Sequence, residues 1–191
     1  MKKLYFFIVL VFIASILKLQ AQAEIPKGFS RGAVTLSNGT IVSGFVKENI
    51  RGNASVAITD ADGKKKNYTG NELLAATIDS SRFICIKGDF FRIVCEGEVC
   101  FLQKSSNAAG KAVYNGTEAI FINGTEGKIN DYFFYDRAQQ QLKLLTKKNM
   151  AEMITGTFNN CAAAIAKAKE TGSDPAGLRD AVDIYNRRNG K

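Results

Sequence analysis

Residues 31–46 read RGAVTLSNGTIVSGFV, and this stretch decides the class of fold. Two runs of apolar and β-branched residues, 32–36 and 41–46, are separated by Asn38-Gly39. This dipeptide accepts the positive φ angles of tight hairpin turns. The stretch therefore predicts a β-hairpin with a type I′ turn.

The same pattern recurs along most of the chain. From residue 31 to residue 146, short runs rich in Val, Ile, Phe and Tyr alternate with turn residues at intervals of roughly ten. Asp62-Gly63 follows the run 54–59, and Asn-Gly pairs at 115 and 123 flank the strand candidate 118–122. These features predict an antiparallel meander of hairpins, arranged as a sheet, a sandwich or an open barrel.

The last third of the chain changes character. Between Asn149 and about Lys169, apolar residues recur at helical spacings of three and four, which predicts one amphipathic helix. Ser173 or Asp174 then provides a cap, with Pro175 in the first turn of a second helix. Strands followed by helices indicate an α+β fold in which two C-terminal helices pack on the sheet.

The N-terminus reads as a cleavable secretory signal peptide, residues 1–23. Lys2 and Lys3 precede an apolar stretch, and the small residues Ala21 and Ala23 form a signal peptidase site, so the mature chain is predicted to begin at Glu24. An uncleaved anchor is the alternative, but the placement of the small residues favours cleavage. No second stretch is long enough to span a membrane.

This boundary predicts one domain at 24–191, with a β-rich part at 24–146 and a helical tail at 147–191. We expect the chain to be secreted across the inner membrane of a bacterium, to the periplasm or the cell surface.

The charge of the mature chain is mildly basic. Residues 24–191 carry 23 basic and 18 acidic residues, which gives +5. The basic clusters 64–66, 147–148 and 187–188 are short and far apart in sequence, which is typical of solvated surfaces rather than of a nucleic-acid interface. No nucleic-acid partner is expected. The mildly basic charge is compatible with an envelope protein or with an anionic surface polymer such as lipopolysaccharide as the partner.

Four cysteines have to be considered as disulfide partners, because an exported protein meets an oxidising compartment. A type II′ turn with Gly97 at its first central position would place Cys95 directly opposite Cys100, within disulfide range. A type I′ turn at the same place would instead set Cys95 opposite Glu98. Cys95 and Cys100 are therefore the candidate disulfide, while Cys85 and Cys161 are interpreted as core residues.

No residue set in the sequence indicates catalysis, a cofactor or a metal. The chain has no His, which removes the commonest general base and the usual transition-metal ligand. Glu96 and Glu98 form a carboxylate pair, but both are predicted to be solvated at a hairpin tip. The Asp62-Gly63 turn explains the acidic residues near it better than a calcium loop does. Residues 132–135, two aromatic pairs, are predicted to be a strand covered on both faces rather than a partner-binding patch.

The order of these features resembles a group of small uncharacterised secreted proteins of Bacteroidetes bacteria. The resemblance is carried by the hairpin 32–46, the segment 68–75, the turn between Cys95 and Phe101, and a terminal helix ending Tyr185-Asn186. It covers most of the mature chain and implies localisation and fold, with no catalytic residues to transfer. Some members have a further Cys where this chain has Arg187, so the resemblance supplies no partner for Cys161.

The sequence thus predicts an exported, non-catalytic envelope or secreted protein that acts by binding or as a structural component. One alternative is a mildly basic module that binds anionic envelope polymers. The other is a carboxylate-dependent hydrolase, which would require two acidic side chains to converge in one cleft.

Overall fold

The computed structural model describes residues 25–60, 62–109, 112–115, 118–121 and 124–189. The predicted signal peptide and its cleavage residues Ala21, Ala23 and Glu24 lie outside the described residues, as do Gly116 and Asn123 of the turns predicted at 115–116 and 123–124. In the described part of the chain, no helix is both long and apolar enough to cross a membrane.

The first part of the chain is built from strands, with one short helix between the second and third. They are β1 (Ser30–Leu36), β2 (Ile41–Asn49), α1 (Ile50–Asn53), β3 (Ser55–Thr59), β4 (Lys65–Thr69), β5 (Leu73–Ile78), β6 (Ser81–Ile86), β7 (Asp89–Cys95), β8 (Val99–Lys104), β9 (Ala112–Asn115), β10 (Glu118–Phe121), β11 (Tyr132–Asp136) and β12 (Gln141–Leu144). The helices after them are α2 (Met150–Thr157), α3 (Ala162–Glu170), a 3₁₀ turn (Pro175–Leu178) and α4 (Arg179–Asn189). This order confirms the predicted α+β class.

Ten of the strands form one antiparallel sheet in the order β12-β11-β8-β7-β6-β5-β1-β2-β3-β4, and β9 pairs only with β10. The chain makes two meanders, β1 to β4 and β5 to β12, which join where β1 pairs with β5. The predicted hairpins at Asn38-Gly39 and Asp62-Gly63 are present as β1–β2 and β3–β4.

The turn type predicted for the hairpins is wrong. Gly39 and Gly63 have φ angles of 84° and 77°, but Asn38 and Asp62 are not in the left-handed region. A type I′ turn needs two residues with positive φ. Both loops are longer than two residues, and Asp60 steadies the second by accepting hydrogen bonds from the backbone N–H groups of Asp62 and Lys64 at 3.1 and 2.8 Å.

The N-terminal meander curls over its own apolar face. Gly70, just after β4, forms an antiparallel bridge with Gly88, between β6 and β7. A Cβ atom at Gly70 would lie 2.1 Å from the carbonyl oxygen of Gly88, so only glycine permits this approach. The curled strands enclose an N-terminal core that includes Val34, Val56 and Phe90, each with no exposed surface.

The C-terminal half of the sheet, β6 to β12, has two apolar faces because side chains alternate along each strand. One face carries Phe101 and Phe134 and is covered by the helices; we call this packing the helix-side core. The opposite face carries the outer-face cluster, whose buried members are Phe91, Cys100, Leu102 and Phe133. The aromatic run 132–135 supplies both faces of β11, which confirms the strand predicted there.

The predicted first helix is two helices. The chain leaves the helical conformation after Thr157 and resumes it at Ala162, with Cys161 at the N-terminal cap of α3. Gly and Asn are weak helix formers, and Gly156, Asn159 and Asn160 cluster at the break. The next start is as predicted, since the Asp174 carboxylate accepts a hydrogen bond from the Ala176 N–H, with Pro175 in the first turn.

A fully buried ion pair joins β7 and β8 to the long connection between β8 and β11. Lys104 Nζ lies 3.1 Å from Asp89 Oδ2, and both side chains have no exposed surface. Lys104 Nζ also donates to the backbone carbonyls of residues 125, 126 and 127 at 2.8 to 3.2 Å. Asp89 accepts from the N–H groups of Ala108 and Thr125 at 2.6 and 2.8 Å. The pair therefore fixes both ends of the connection that carries β9 and β10.

Candidate functional site

A polar cleft of about 270 Å³ opens where the ends of β8, β11 and β12 meet the helices. Its lining residues are mainly hydrogen-bonding side chains above a buried aromatic floor: Glu98, Val99, Phe134, Asp136, Gln139, Gln141, Lys143, Gly156, Thr157, Asn159 and Tyr185. Since a cleft with convergent polar groups is the usual form of a ligand site, this is the candidate site of the protein.

Strand pairing arranges the sheet side of the cleft in two rows. Val99 on β8 pairs with Asp136 on β11, which pairs with Gln141 on β12. One step along the same face, Phe134 pairs with Lys143. Residues two positions apart in a strand point to the same face, so the carboxylate of Asp136 and the ammonium of Lys143 lie in adjacent rows.

Two carboxylates converge in the cleft. Glu98 Oε1 accepts a hydrogen bond from the Tyr185 hydroxyl at 3.4 Å. Asp136 Oδ1 accepts one from the Gln139 N–H at 2.9 Å. Among the described residues, neither carboxylate forms an ion pair, and Lys143 is the cation that shares the cleft with them.

The second carboxylate of the predicted pair is elsewhere. Glu96 forms salt bridges with Arg82 and Arg137 at the surface, 2.5 Å from Arg137. Glu96 and Glu98 therefore do not act together, and the carboxylate that lines the cleft with Glu98 is Asp136, which is distant in sequence. No sequence pattern indicates that both residues line one cleft, because this depends on β11 lying beside β8.

One side chain of helix α4 holds the helix against the cleft, with two hydrogen bonds to a strand backbone like those that a neighbouring strand would form. The Asn186 amide accepts a hydrogen bond from the Val99 N–H at 3.1 Å and donates one to the Val99 carbonyl at 2.9 Å. This bidentate contact fixes the neighbouring Tyr185 at the cleft floor. Asn186 was not identified as functional from the sequence, although the Tyr185-Asn186 pair is part of the resemblance described above.

Gly97 permits this contact. A Cβ atom at Gly97 would lie 2.2 Å from Cγ of Asn186, which no ordinary packing allows. Gly97 is not among the residues with positive φ, so the predicted type II′ turn, with this residue at its first central position, is wrong. A glycine is required at position 97 because α4 approaches closely there, and not because of the turn geometry.

A continuous set of aromatic contacts connects the sheet with the helices beneath the cleft. The ring of Phe134 lies 6.0 Å from Phe101 and 5.6 Å from Phe158, and Phe158 lies 5.2 Å from Tyr185. Phe101 and Phe158 have no exposed surface. These contacts give the polar rim of the cleft a rigid base.

The candidate disulfide is not formed, and the predicted register is wrong. Cys95 pairs with Phe101 rather than with Cys100, because the ladder shifts between Ile93 and Cys95. The shift leaves Cys95 packed against the helix-side core, whereas Cys100 belongs to the outer-face cluster. Their side chains therefore lie on opposite faces of the sheet, and all four cysteines are free thiols in this structure.

The other two cysteines have different surroundings: Cys85 is partly buried and Cys161 is buried. Cys85 packs against the N-terminal core, and burial raises its pKa to about 12. Cys161 is buried in the helix-side core, where the backbone N–H of Ala164 and the nearby Arg188 lower the pKa of its thiol.

We expect Cys85 to resist alkylation in the folded protein. At pH 8, a thiol with a pKa of about 12 is ionised in only about one molecule in ten thousand, and the thiolate is the reactive form. After unfolding, the pKa returns to its ordinary value and Cys85 should react readily. Peptide mass spectrometry after iodoacetamide treatment, with and without denaturant, checks this; rapid native labelling of Cys85 would contradict it.

Comparisons of the chain with protein-family models, curated proteins and solved structures gave no match. Within the described residues, no group of three or more Cys, Asp and Glu side chains is placed to hold a metal ion. The cleft must therefore be interpreted from its own chemistry.

Proposed function

We propose that this chain is an exported, non-catalytic binding protein of a bacterial envelope or its surroundings, and that the polar cleft is its ligand site. The observation that carries the proposal is the convergence of amide, hydroxyl and carboxylate side chains from two strands, two helices and the connections beside them on one concave surface. Export is supported by the signal-peptide pattern at residues 1–23.

The charges in the cleft favour a neutral or cationic polar ligand. Glu98 and Asp136 supply two negative charges against the single positive charge of Lys143. Gln139, Gln141 and other neutral hydrogen-bonding groups line the rest of the rim and can both donate and accept. The carboxylates would repel an anionic polymer. The local charge of the cleft is therefore a stronger guide to the ligand than the mildly basic net charge of the chain.

The second candidate is a carboxylate-dependent hydrolase, because Glu98 and Asp136 line the same cleft. Such an enzyme needs one carboxyl group to protonate the leaving group and another to act as base or nucleophile. In this structure both carboxylates already accept hydrogen bonds from neighbouring groups, which suits a positioning role in binding. We therefore rank binding first.

The test measures ligand binding and turnover together. The purified protein is titrated with a neutral disaccharide, N-acetylarginine amide and a phosphorylated sugar, and amide shifts are followed by NMR. We expect the first or second probe to shift Val99, Asp136 and Gln141, and the phosphorylated sugar to bind at least about tenfold more weakly, since like charges repel at close range.

Glu98→Gln and Asp136→Asn should each weaken binding of the arginine probe by about three- to tenfold through loss of a charge-assisted hydrogen bond. Glu152→Gln is the matched control, since Glu152 is exposed on α2 and outside the cleft lining. Hydrolysis of the disaccharide that is abolished in both cleft variants would replace the binding proposal with the hydrolase. If neither these probes nor an extended peptide binds in the cleft, the proposal is refuted.

A further inference from the structure

Strand β12 forms one edge of the ten-stranded sheet and borders the cleft. In the described part of the chain, no strand pairs with its outer side. The direction of its backbone groups follows from the ladder. The Leu145 N–H bonds the Tyr132 carbonyl at 2.9 Å, so alternate residues of β12 bond β11, and Leu142 and Leu144 present their backbone groups outward.

The open part of this edge is short and defined. The Asn149 side chain donates to the Leu144 carbonyl at 2.8 Å and so blocks that end. The N–H and the carbonyl of Leu142 lie together at the centre of what remains. An added strand could therefore form a closely spaced pair of hydrogen bonds with Leu142.

The two sides of this edge differ in chemistry. Gln141 and Lys143 extend into the cleft. Leu142 packs with Tyr135 in the outer-face cluster, where both are only partly buried. The side chains of a strand added here would point alternately into the polar cleft and onto the apolar surface. The side chains of an extended peptide alternate in this way, whereas a saccharide has no such alternation.

The charges specify a pattern for the incoming strand. The row containing Gln141 also holds Asp136, beside Glu98, and favours a basic side chain. The next row presents Lys143 and favours an acidic one. The residue between them faces Leu142 and should be apolar.

We propose that the cleft binds an extended peptide segment that adds to β12 as an antiparallel strand, with an acidic, an apolar and a basic residue opposite Lys143, Leu142 and Gln141. This inference rests on the proposed function, because it assigns the ligand class of the same cleft. A second copy of the chain fits less well. Self-pairing centred on Leu142 would place Lys143 of one copy opposite Gln141 of the other, which supplies the basic side chain, but each Lys143 would then face an amide instead of an acidic residue.

The probe is the capped peptide acetyl-Thr-Ser-Glu-Val-Lys-Ser-Thr-amide, titrated into the isotope-labelled chain 24–191. We expect it to shift the amide of Leu142 and the cleft residues. Leu142→Pro removes the outward N–H without touching the bonds to β11, and edge strands tolerate proline at such positions. Leu142→Ala is the matched control, because it loses the same side-chain packing but keeps the N–H.

We expect Leu142→Ala to bind within about threefold of the wild type and Leu142→Pro to bind at least about tenfold more weakly, from the loss of the hydrogen bond and the steric block. A peptide N-methylated at Val should bind the wild-type protein at least about tenfold more weakly than the unmodified peptide. This second measurement tests strand addition even if Leu142→Pro does not fold. Glu98→Gln should weaken the peptide severalfold.

Equal binding of the N-methylated peptide, or of Leu142→Pro, overturns strand addition. If a saccharide binds the cleft and the peptide does not, the proposed function stands and the peptide inference fails. If no probe binds the cleft, both fail. A dimer in solution that becomes monomeric with Leu142→Pro would assign the edge to a second copy and overturn the inference.

Discussion

Replacing Lys104 with Met should lower the free energy of unfolding by about 3–5 kcal/mol, the usual cost of removing one partner of a buried ion pair. The substitution leaves the Asp89 charge without its counter-ion at a site with no exposed surface. It also removes the donor for the carbonyls of residues 125, 126 and 127. Urea denaturation followed by circular dichroism measures the loss.

Lys128→Met is the control, because Lys128 is exposed and lies in the same connection. Its effect should stay within about 0.5 kcal/mol, as is usual at surface positions. The double variant Asp89→Leu/Lys104→Met should lose less than the sum of the two single losses, because neither charge is then left unpaired. Additive losses would show that the two side chains do not depend on each other.

Replacing Gly97 with Ala should destabilise the protein by about 2–4 kcal/mol, from overpacking and from loss of the hydrogen bonds between Asn186 and Val99. The new Cβ atom would lie 2.2 Å from Cγ of Asn186, so either the Asn186 side chain must turn away or α4 must move, and both changes break the hydrogen bonds to Val99. Because Tyr185 precedes Asn186, the cleft should also lose its ligand affinity. Denaturation and the NMR titration of the cleft together check both effects.

Gly52→Ala is the matched control, since a Cβ atom there meets nothing within 4 Å. In a Gly97→Ala background, the further change Asn186→Ala should cost less than it does in the wild type, because the clash has been removed. If the stability losses of the two substitutions are additive, the close approach of α4 does not depend on Gly97.

The fold class could be predicted because its signals are local. Asn38-Gly39 and Asp62-Gly63 lie between runs of strand-forming residues, and both hairpins are present. Asp174 and Pro175 marked the start of the last helical segment for the same reason. Turn types depend on the φ angles of both central residues, and a dipeptide indicates which angles are allowed rather than which are adopted.

The candidate site could not be predicted, because its residues come from separate segments. Glu98 was identified only as a neighbour of Glu96, whereas the other carboxylate that lines the cleft is Asp136. The register predicted at Cys95 was wrong for a related reason. The ladder shift near Ile93 lets Cys95 pack on the helix-side core, and this packing energy comes from helices more than fifty residues later in the chain.

By itself, the sequence determined the alternation of strands and turns, the change from strands to helices after Leu144, and the signal-peptide pattern that predicts export. Each follows from the chemistry of neighbouring residues. Only the tertiary structure decided that β11 lies beside β8, that Asn186 pairs with Val99, and that β12 is left as an edge beside the cleft. Those arrangements are selected by burial of apolar surface over the whole molecule, which no short stretch of sequence encodes.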